Sequence, residues 1–217
     1  MSAQRTCWNC GQSKQESLFC TKCNALQPPP TDYYALLGLE PKLNLSIDDL
    51  QRRFYELSRQ LHPDRFMRKP EAERQYSLDA SSILNDAYRA LKDPVKRAQY
   101  VLNQEGFDIG EQRSKDVPPE LLEEVFDLNM ALEEMRSGDD SARPQLEQAD
   151  KNFTTMLSDV DQQLETQFTQ YDQSKSRDVL TQIRGTLNRR KYIQNLLNEV
   201  HNQLATSHQP PATSHAN

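Results

Sequence analysis

Apolar residues recur every three or four positions through most of this chain, and pairs or rows of prolines interrupt the pattern. This spacing places side chains on one face of an α-helix, whereas a half-buried strand requires strict alternation. The chain has only 6 glycines, with 35% hydrophobic and 27% charged residues, a composition typical of helices with charged outer faces. We therefore expect a mainly α-helical protein.

The interruptions divide the chain into segments. The three consecutive prolines from Pro28 can neither continue a helix nor join a sheet, so residues 28–31 are predicted to form a stiff linker. Glycines, adjacent prolines and charges predict a second linker at residues 108–117. Structural units are then expected at residues 1–27, 32–107 and 118–206, followed by a polar, disordered tail at residues 207–217.

Capping signals predict four helices between residues 32 and 107. Asp32 and Gly38 bracket a short first helix, Ser46 begins the second, and Asp93 with Pro94 begins the fourth. Pro63 ends the second helix because it disfavours helical geometry at the preceding residue. The predicted helices cover residues 33–37, 46–61, 71–91 and 94–105.

Three longer helical patterns follow, at residues 118–136, 142–171 and 175–204. A glycine and two aspartates at residues 138–140 and a polar stretch at residues 172–174 separate them. Helices joined by such short loops pack antiparallel to one another. The C-terminal segment is therefore predicted to be a three-helix bundle.

The first bundle helix carries two apolar stripes. One stripe follows the spacing of a bundle core: Leu121, Val125, Leu128, Leu132 and Met135. At about 100° per residue, Leu122, Phe126 and Met130 fall on a second stripe that cannot face the same core. With Glu123 and Asp127 beside it, this second stripe is predicted to bind a partner, although it could instead pack on another part of the chain or on a second copy.

The last bundle helix is predicted to bury one stripe, formed by Val179, Ile183, Leu187, Leu197 and Val200. On the same helical projection Tyr192 and Leu196 point elsewhere. We therefore expect Tyr192 and Leu196 to lie outside the core of the bundle.

Four cysteines form two pairs, Cys7 with Cys10 and Cys20 with Cys23, and each pair encloses two residues. Two such pairs complete a tetrahedral Cys₄ site, and no nearby residue suggests an open coordination position, so structural Zn²⁺ is predicted. Two disulfides, a redox dithiol and an iron site are the alternatives. Loss of the metal is expected to unfold only about the first thirty residues, because ligation energy is folding energy in so small a module.

The net charge of −6 is unevenly distributed, with nineteen acidic and eleven basic residues after position 107. An acidic surface repels phosphate backbones, so nucleic-acid binding is disfavoured.

No run of about 18 apolar residues predicts a membrane span, and no removable leader is recognised before Cys7, so a cytoplasmic location is expected. No phosphate loop, nucleophile elbow or HExxH motif occurs, which predicts that the protein is not an enzyme.

The tripeptide His62-Pro63-Asp64 lies between two amphipathic helices, and the preceding helix bears Arg52, Arg53 and Arg59. Together with the opening segment at residues 32–39 and the later Asp93-Pro94, this arrangement over residues 32–104 resembles the J domain. The resemblance implies that the tripeptide and the three arginines contact an ATP-driven chaperone of the DnaK or HscA type. The charges of this segment balance overall, so only the local face of its second helix is basic.

The order of a J-domain segment, a linker and an acidic helical bundle resembles the HscB family of iron–sulfur cluster co-chaperones, and the paired cysteines resemble members with an N-terminal zinc module. The resemblance implies that the bundle binds an IscU-type scaffold protein through a patch that includes Leu122, Phe126, Asp127, Met130 and Tyr192. The chain would deliver this scaffold to the chaperone and stimulate the chaperone's ATPase. The alternatives are a general J protein with a dimerising bundle and a redox enzyme that uses Cys7 and Cys10.

Overall fold

The computed structural model describes residues 6–13, 17–107 and 121–206, and these residues are mainly α-helical. The α-helices are α1 (Tyr33–Leu37), α2 (Ile47–Leu61), α3 (Glu71–Lys92), α4 (Pro94–Gln104), α5 (Leu122–Arg136), α6 (Arg143–Ser174) and α7 (Arg177–Thr206). The predicted fold class is confirmed. The linker expected at residues 108–117 and the tail expected at residues 207–217 lie outside the described residues. Within the described ranges, no helix combines the length and the apolar character that a bilayer crossing requires.

The chain forms two compact units, Met1–Gln104 and Glu105–Asn217. The first contains the cysteines and helices α1 to α4, and the second contains helices α5 to α7.

Side-chain caps begin the helices of the first unit where the sequence predicts them. The Asp32 carboxylate accepts a hydrogen bond from the amide of Ala35 at 2.7 Å, and the Ser46 hydroxyl accepts one from the amide of Asp49 at 3.3 Å. Gly38 ends α1 with a φ of 64°, a conformation that glycine adopts more readily than residues with a Cβ atom. Each cap satisfies helix-terminal groups that have no partner within the helix.

Tyr100 joins α4 to the start of α1. Its hydroxyl donates to Asp32 at 2.8 Å and accepts from the amide of Tyr33 at 2.9 Å, and its ring stacks on that of Tyr33 at 4.3 Å between centroids. Burial, with the nearby Asp32 carboxylate, raises the pKa of Tyr100 to about 12. The start of α1 and the last helix of this unit are therefore held together by a neutral phenol.

The second unit packs α5 against the antiparallel pair α6 and α7. Its core contains side chains from all three helices: Leu121, Leu128, Leu132, Met135, Leu146, Phe153, Val160, Ile193, Leu196, Leu197 and Val200. Val125 packs against this core while partly buried, so the predicted core stripe of α5 is confirmed.

The expectation for Leu196 is wrong, because this side chain is buried in the bundle core. Tyr192 is also packed against the core, although it remains partly exposed. The C-terminal half of α7 contacts both α5 and α6, so it buries a wider sector than one stripe. A helix that packs against two neighbours has a broader apolar face than a helix that packs against one.

Candidate functional site

The tripeptide His62-Pro63-Asp64 forms an exposed turn between α2 and α3. Helix α2 ends at Leu61, His62 adopts an extended conformation, and Pro63 begins a short 3-10 turn. The amide of Asp64 donates to His62 Nδ1 at 3.3 Å, and the side chains of His62 and Asp64 are 58% and 79% exposed. The turn therefore presents two polar side chains to solvent on a short, constrained backbone.

Buried side chains flank this turn, with Leu61 before it and Phe66 after it. Phe66 is buried, and its carbonyl accepts a hydrogen bond from the amide of Lys69 at 2.9 Å. The carbonyl of His62 accepts from the amide of Arg65 at 3.0 Å. An anchored turn loses less conformational entropy when it binds a partner than a flexible loop does.

Arg53 is bound within its own unit. Its guanidinium donates to the carbonyl of Gly38 at 2.8 Å and to the carboxylate of Asp49 at 3.0 Å, so it caps the C-terminal end of α1. The hydrogen bond from Arg53 is the main cause that lowers the pKa of Asp49. Arg52 pairs with the same carboxylate, whereas Arg59 is exposed one turn before His62.

Three large apolar side chains lie exposed along one face of α5. Leu122, Phe126 and Met130 follow one another at intervals of four residues and are 56%, 64% and 51% exposed. Side chains four positions apart are neighbours on a helix, so the three form one continuous strip. We call this the α5 strip, and its predicted position outside the bundle core is confirmed.

An acidic groove of about 370 Å³ lies beside the α5 strip, between α5 and α6. Its apolar floor includes Leu128 and Phe153, and Met130 of the strip also lines it. Its polar lining consists of three carboxylates and three amides: Glu124, Asp127, Glu134, Gln145, Gln148 and Asn152. The groove therefore combines apolar surface with negative charge, which favours a partner with basic side chains.

The predicted site residues of the bundle differ in how accessible they are. Asp127 is exposed and lines the acidic groove together with Met130. Tyr192 lies on α7, packed against the core, and burial raises its pKa, with Glu199 nearby as the lesser cause. Tyr192 thus offers a partner only part of its ring.

The four cysteines form one cluster, as predicted. All four Sγ atoms lie within 4.8 Å of one another, with Cys7 at 3.7 Å from Cys23 and Cys10 at 3.8 Å from Cys20. A tetrahedral ion with metal–sulfur bonds of about 2.3 Å requires sulfur–sulfur distances of about 3.8 Å. All four are free thiols, and their spacing fits a single metal ion.

Two equivalent turns bring the cysteines together. The amide of Gly11 donates to the carbonyl of Cys7 at 2.9 Å, and the amide of Asn24 donates to that of Cys20 at 2.8 Å. Gly11 and Asn24 both have a positive φ, at 68° and 56°. Glycine and asparagine tolerate this conformation best, so the residue that follows each cysteine pair permits the turn.

Hydrogen bonds favour the thiolate form at two of the four cysteines; at Cys10 the amide of Gln12 lowers the pKa, but burial and the neighbouring thiols outweigh it and raise the pKa to about 11. Burial alone would raise the pKa of Cys7, but the amides of Cys10 and Asn9 together with neighbouring thiols lower it to about 6. Amides of Cys23 and Lys22 lower the pKa of Cys20. Metals bind the thiolate form, so these amides prepare the cluster for a cation.

The cysteine cluster is docked on α3. The amide of Leu26 donates to the carboxylate of Glu73 at 3.0 Å, and both residues are buried. The indole of Trp8 donates to the carbonyl of Leu26 at 2.7 Å and packs edge-on against Tyr76. Loss of the metal is therefore expected to disturb α3 as well, which extends the effect beyond the first thirty residues.

Three residues of this site are absent from the sequence prediction. Gln27 donates to the sulfur of Cys7 at 3.3 Å, and Glu73 and Trp8 hold the cluster against α3. A buried glutamate on an otherwise apolar helix face is weak evidence in sequence alone, because helical carboxylates are usually exposed. Only its hydrogen bond with the amide of Leu26 identifies the role of Glu73.

Two family models match consecutive parts of the chain. One, described as the DnaJ domain, matches residues 32–100, and the other, described as the HSCB C-terminal oligomerisation domain, matches residues 117–201. Together they cover α1 to α4 and most of the bundle.

Relatives and solved structures agree with these matches. The iron–sulfur cluster co-chaperone HscB of Mus musculus is 30% identical over 184 residues, and that of Homo sapiens is 31% identical over 188 residues; each match covers 82% of this chain and 76% of the relative. The crystal structure of human HscB matches with a TM-score of 0.62 at 25% identity, covering 93% of this chain and all of that one. HscB from Vibrio cholerae matches with a TM-score of 0.57 at 27% identity, covering 81% of this chain and 99% of the other. A J-domain segment, a matching bundle and identity at this level over most of both chains place the protein in the HscB family of iron–sulfur cluster co-chaperones.

Proposed function

We propose that this protein binds an IscU-type iron–sulfur scaffold through its bundle and presents that scaffold to a DnaK- or HscA-type chaperone, whose ATPase it stimulates. The α5 strip carries this proposal. Three exposed apolar side chains on one helix face are costly in water and are a common feature of partner surfaces. The strip belongs to the unit that the HscB relatives share.

The acidic groove supports the same assignment. Apolar anchors supply most of the binding energy at the centre of an interface, while charges at its edge guide orientation and association rate. The strip provides the anchors Leu122, Phe126 and Met130, and Asp127 provides negative charge at the edge. Tyr192 is proposed as a secondary contact, because part of its ring remains exposed.

The His62-Pro63-Asp64 turn is proposed to contact the chaperone. Exposed polar side chains on an anchored backbone suit recognition by a partner better than they suit core packing. Arg59 supplies positive potential beside the turn, and Arg52 adds charge about three helical turns earlier on α2. Arg53 contributes by holding α1 against α2 as well as by its charge. ATP hydrolysis takes place in the chaperone, so the chain acts without catalysing a reaction itself.

The two contacts together explain how such a protein would act. A co-chaperone shifts the chaperone's conformational equilibrium by binding one state better than another. When the scaffold is held by the same chain, its binding to the chaperone becomes effectively intramolecular, which raises its local concentration. Scaffold and J domain should therefore stimulate the chaperone more together than separately.

Stimulation of ATP hydrolysis tests this function directly. The full chain is titrated into a purified DnaK- or HscA-type chaperone, with and without an IscU-type scaffold, and phosphate release is measured. We expect stimulation by the chain alone and more than additive stimulation when scaffold is present. No stimulation, or equal enhancement by scaffold and by an unfolded model client, would contradict the proposal.

Self-association is the alternative use of the α5 strip, since a second copy could cover the same apolar surface. A dimerising bundle would support a general J protein for unfolded clients. Light scattering coupled to size-exclusion chromatography distinguishes scaffold binding from self-association. A monomer that forms a one-to-one complex with the scaffold supports scaffold delivery, whereas a dimer that dissociates when the strip is replaced supports the general J protein.

We further propose that Cys7, Cys10, Cys20 and Cys23 hold one structural Zn²⁺. Four thiolates leave no open coordination position, which is typical of zinc sites that stabilise a fold. The ion would supply a fixed tetrahedral link between the two cysteine turns. Nothing in this role requires a change of oxidation state.

The metal proposal predicts the behaviour of Cys20→Ser. The variant should lose its metal, and its melting temperature should fall, because Leu26 is fully buried and exposing such a side chain costs about 1.5 to 3 kcal/mol. Trp8 is the only tryptophan and bonds to Leu26, so its fluorescence should shift to longer wavelength. Elemental analysis and a fluorescence-detected melt measure both effects.

The matched control is Thr21→Ala, which changes an exposed residue between Cys20 and Cys23. It should retain one zinc per chain and the fluorescence of the original protein. Iron in place of zinc, or a metal-free protein with two disulfides under reducing conditions, would contradict the assignment.

A further inference from the structure

Two hydroxyl groups on α3 converge on the last carbonyl of α2. Ser77 Oγ donates to the carbonyl of Leu61 at 2.6 Å, and Ser81 Oγ donates to the same oxygen at 3.2 Å. The serines are four residues apart, so they are neighbours on one face of α3. Leu61 immediately precedes the His62-Pro63-Asp64 turn.

This carbonyl lies where a helix ordinarily leaves an unsatisfied acceptor. The last carbonyls of a helix have no partner within it, and Pro63 removes a backbone amide from the segment that follows. Leu61 is fully buried, so the serine hydroxyls take the place that water would have at an exposed helix end. The end of α2 is thereby fixed on α3.

The burial of Ser77 indicates that its hydroxyl is used. Its exposed fraction is 0%, and a buried hydroxyl costs free energy unless it makes a hydrogen bond. The other buried positions on this face of α3 are apolar, such as Ala80 and Leu84, except for Glu73, whose carboxylate accepts from the amide of Leu26. Packing alone would be satisfied by alanine at position 77, so the bond to Leu61 accounts for a serine there.

We propose that Ser77 and Ser81 are positioning residues that hold the His62-Pro63-Asp64 turn in the orientation in which it activates the chaperone. This inference rests on the proposed function of the turn. Neither serine touches the chaperone in this view. They act through the carbonyl of Leu61, one peptide unit before the turn, so their removal should misplace the turn without changing its residues.

Alanine at position 77 tests the inference in the full chain. Ser77→Ala should lower maximal stimulation of the chaperone ATPase about fivefold, the factor that corresponds to one lost net hydrogen bond. Replacing both serines should lower it further. The concentration that gives half-maximal stimulation should change less, because the basic side chains that guide association remain in place. A purely structural role would leave maximal stimulation unchanged at temperatures well below the melting point.

A spectroscopic measurement tests the geometry without any chaperone. The amide resonances of His62 and Asp64 should shift in Ser77→Ala and in Ser81→Ala. They should stay in place in Ser82→Ala, an exposed change on the same helix. Ser81→Thr retains a hydroxyl and should restore both the resonances and the stimulation. If Ser77→Ala alone proves too unstable to assay, the comparison of Ser81→Ala with Ser81→Thr decides.

The outcomes separate this inference from the proposed function. If His62→Gln abolishes stimulation while both serine variants stimulate fully, the serines do not position the turn and the inference fails alone. If the original protein does not stimulate the chaperone, the proposed function fails. Unshifted turn resonances in Ser77→Ala would overturn the positioning role whatever the assay shows.

Discussion

Replacing Leu122, Phe126 and Met130 together by alanine should weaken scaffold binding by well over tenfold and leave the bundle folded. Apolar anchors at the centre of an interface often contribute about 2 kcal/mol or more each, so even partial additivity exceeds one factor of ten. All three side chains are more than half exposed, so their truncation removes little buried surface. Calorimetric titration with the scaffold, alongside a thermal melt, measures both quantities.

Two control variants, one in the core and one exposed outside the α5 strip, are compared with the triple variant. Leu128 lies on the same helix but in the core. Leu128→Ala should destabilise the bundle by about 2 to 5 kcal/mol, the cost typical of truncating a buried leucine. Leu78→Ala removes a leucine of similar exposure from α3 and should alter neither quantity. Unchanged affinity of the triple variant, or a loss of stability like that of Leu128→Ala, would assign the α5 strip to the fold and place the scaffold elsewhere.

His62→Gln or Asp64→Asn should reduce stimulation of the chaperone to its basal rate. Both side chains are largely exposed, so their replacement costs the first unit little stability, and their loss should be seen in function. Helicity by circular dichroism and scaffold affinity should match those of the original protein. Phosphate release under single-turnover conditions gives the measurement.

Continued stimulation by either turn variant would contradict the proposed chaperone contact. The triple variant of the α5 strip provides the reciprocal control. It should stimulate the chaperone normally by itself and lose only the additional stimulation that the scaffold brings. Opposite patterns in the two variants would show that the turn and the strip serve different partners.

Local chemistry makes the helices predictable. Asp32, Ser46 and Asp93 act as caps through hydrogen bonds to amides two or three residues away, so the signal and the structure lie in the same short segment. The same reasoning applies to the cysteine pairs, whose spacing already determines which backbone turns each pair can make. Helical geometry also separates the α5 strip from the core stripe without any knowledge of neighbouring helices.

Local sequence patterns do not predict contacts between distant segments. The helical projection predicts Leu196 outside the core, but α5 and α6 both pack against its part of α7 and bury it. The sequence indicates only a positive charge at Arg53, yet its guanidinium caps a helix fifteen residues earlier in the chain. In both cases the local pattern is correct, and the partner that gives the side chain its role comes from another helix.

The sequence by itself determined the helical class, the two cysteine turns and the exposed turn, because capping, the spacing within each cysteine pair and turn formation depend on residues close together in the chain. Only the tertiary structure decided how these parts are held. Glu73 fastens the cysteine cluster to α3, and Ser77 with Ser81 fastens the end of α2. A hydrogen bond between segments requires two groups to meet within about 3 Å. That meeting depends on how the helices pack, which no short stretch of sequence specifies.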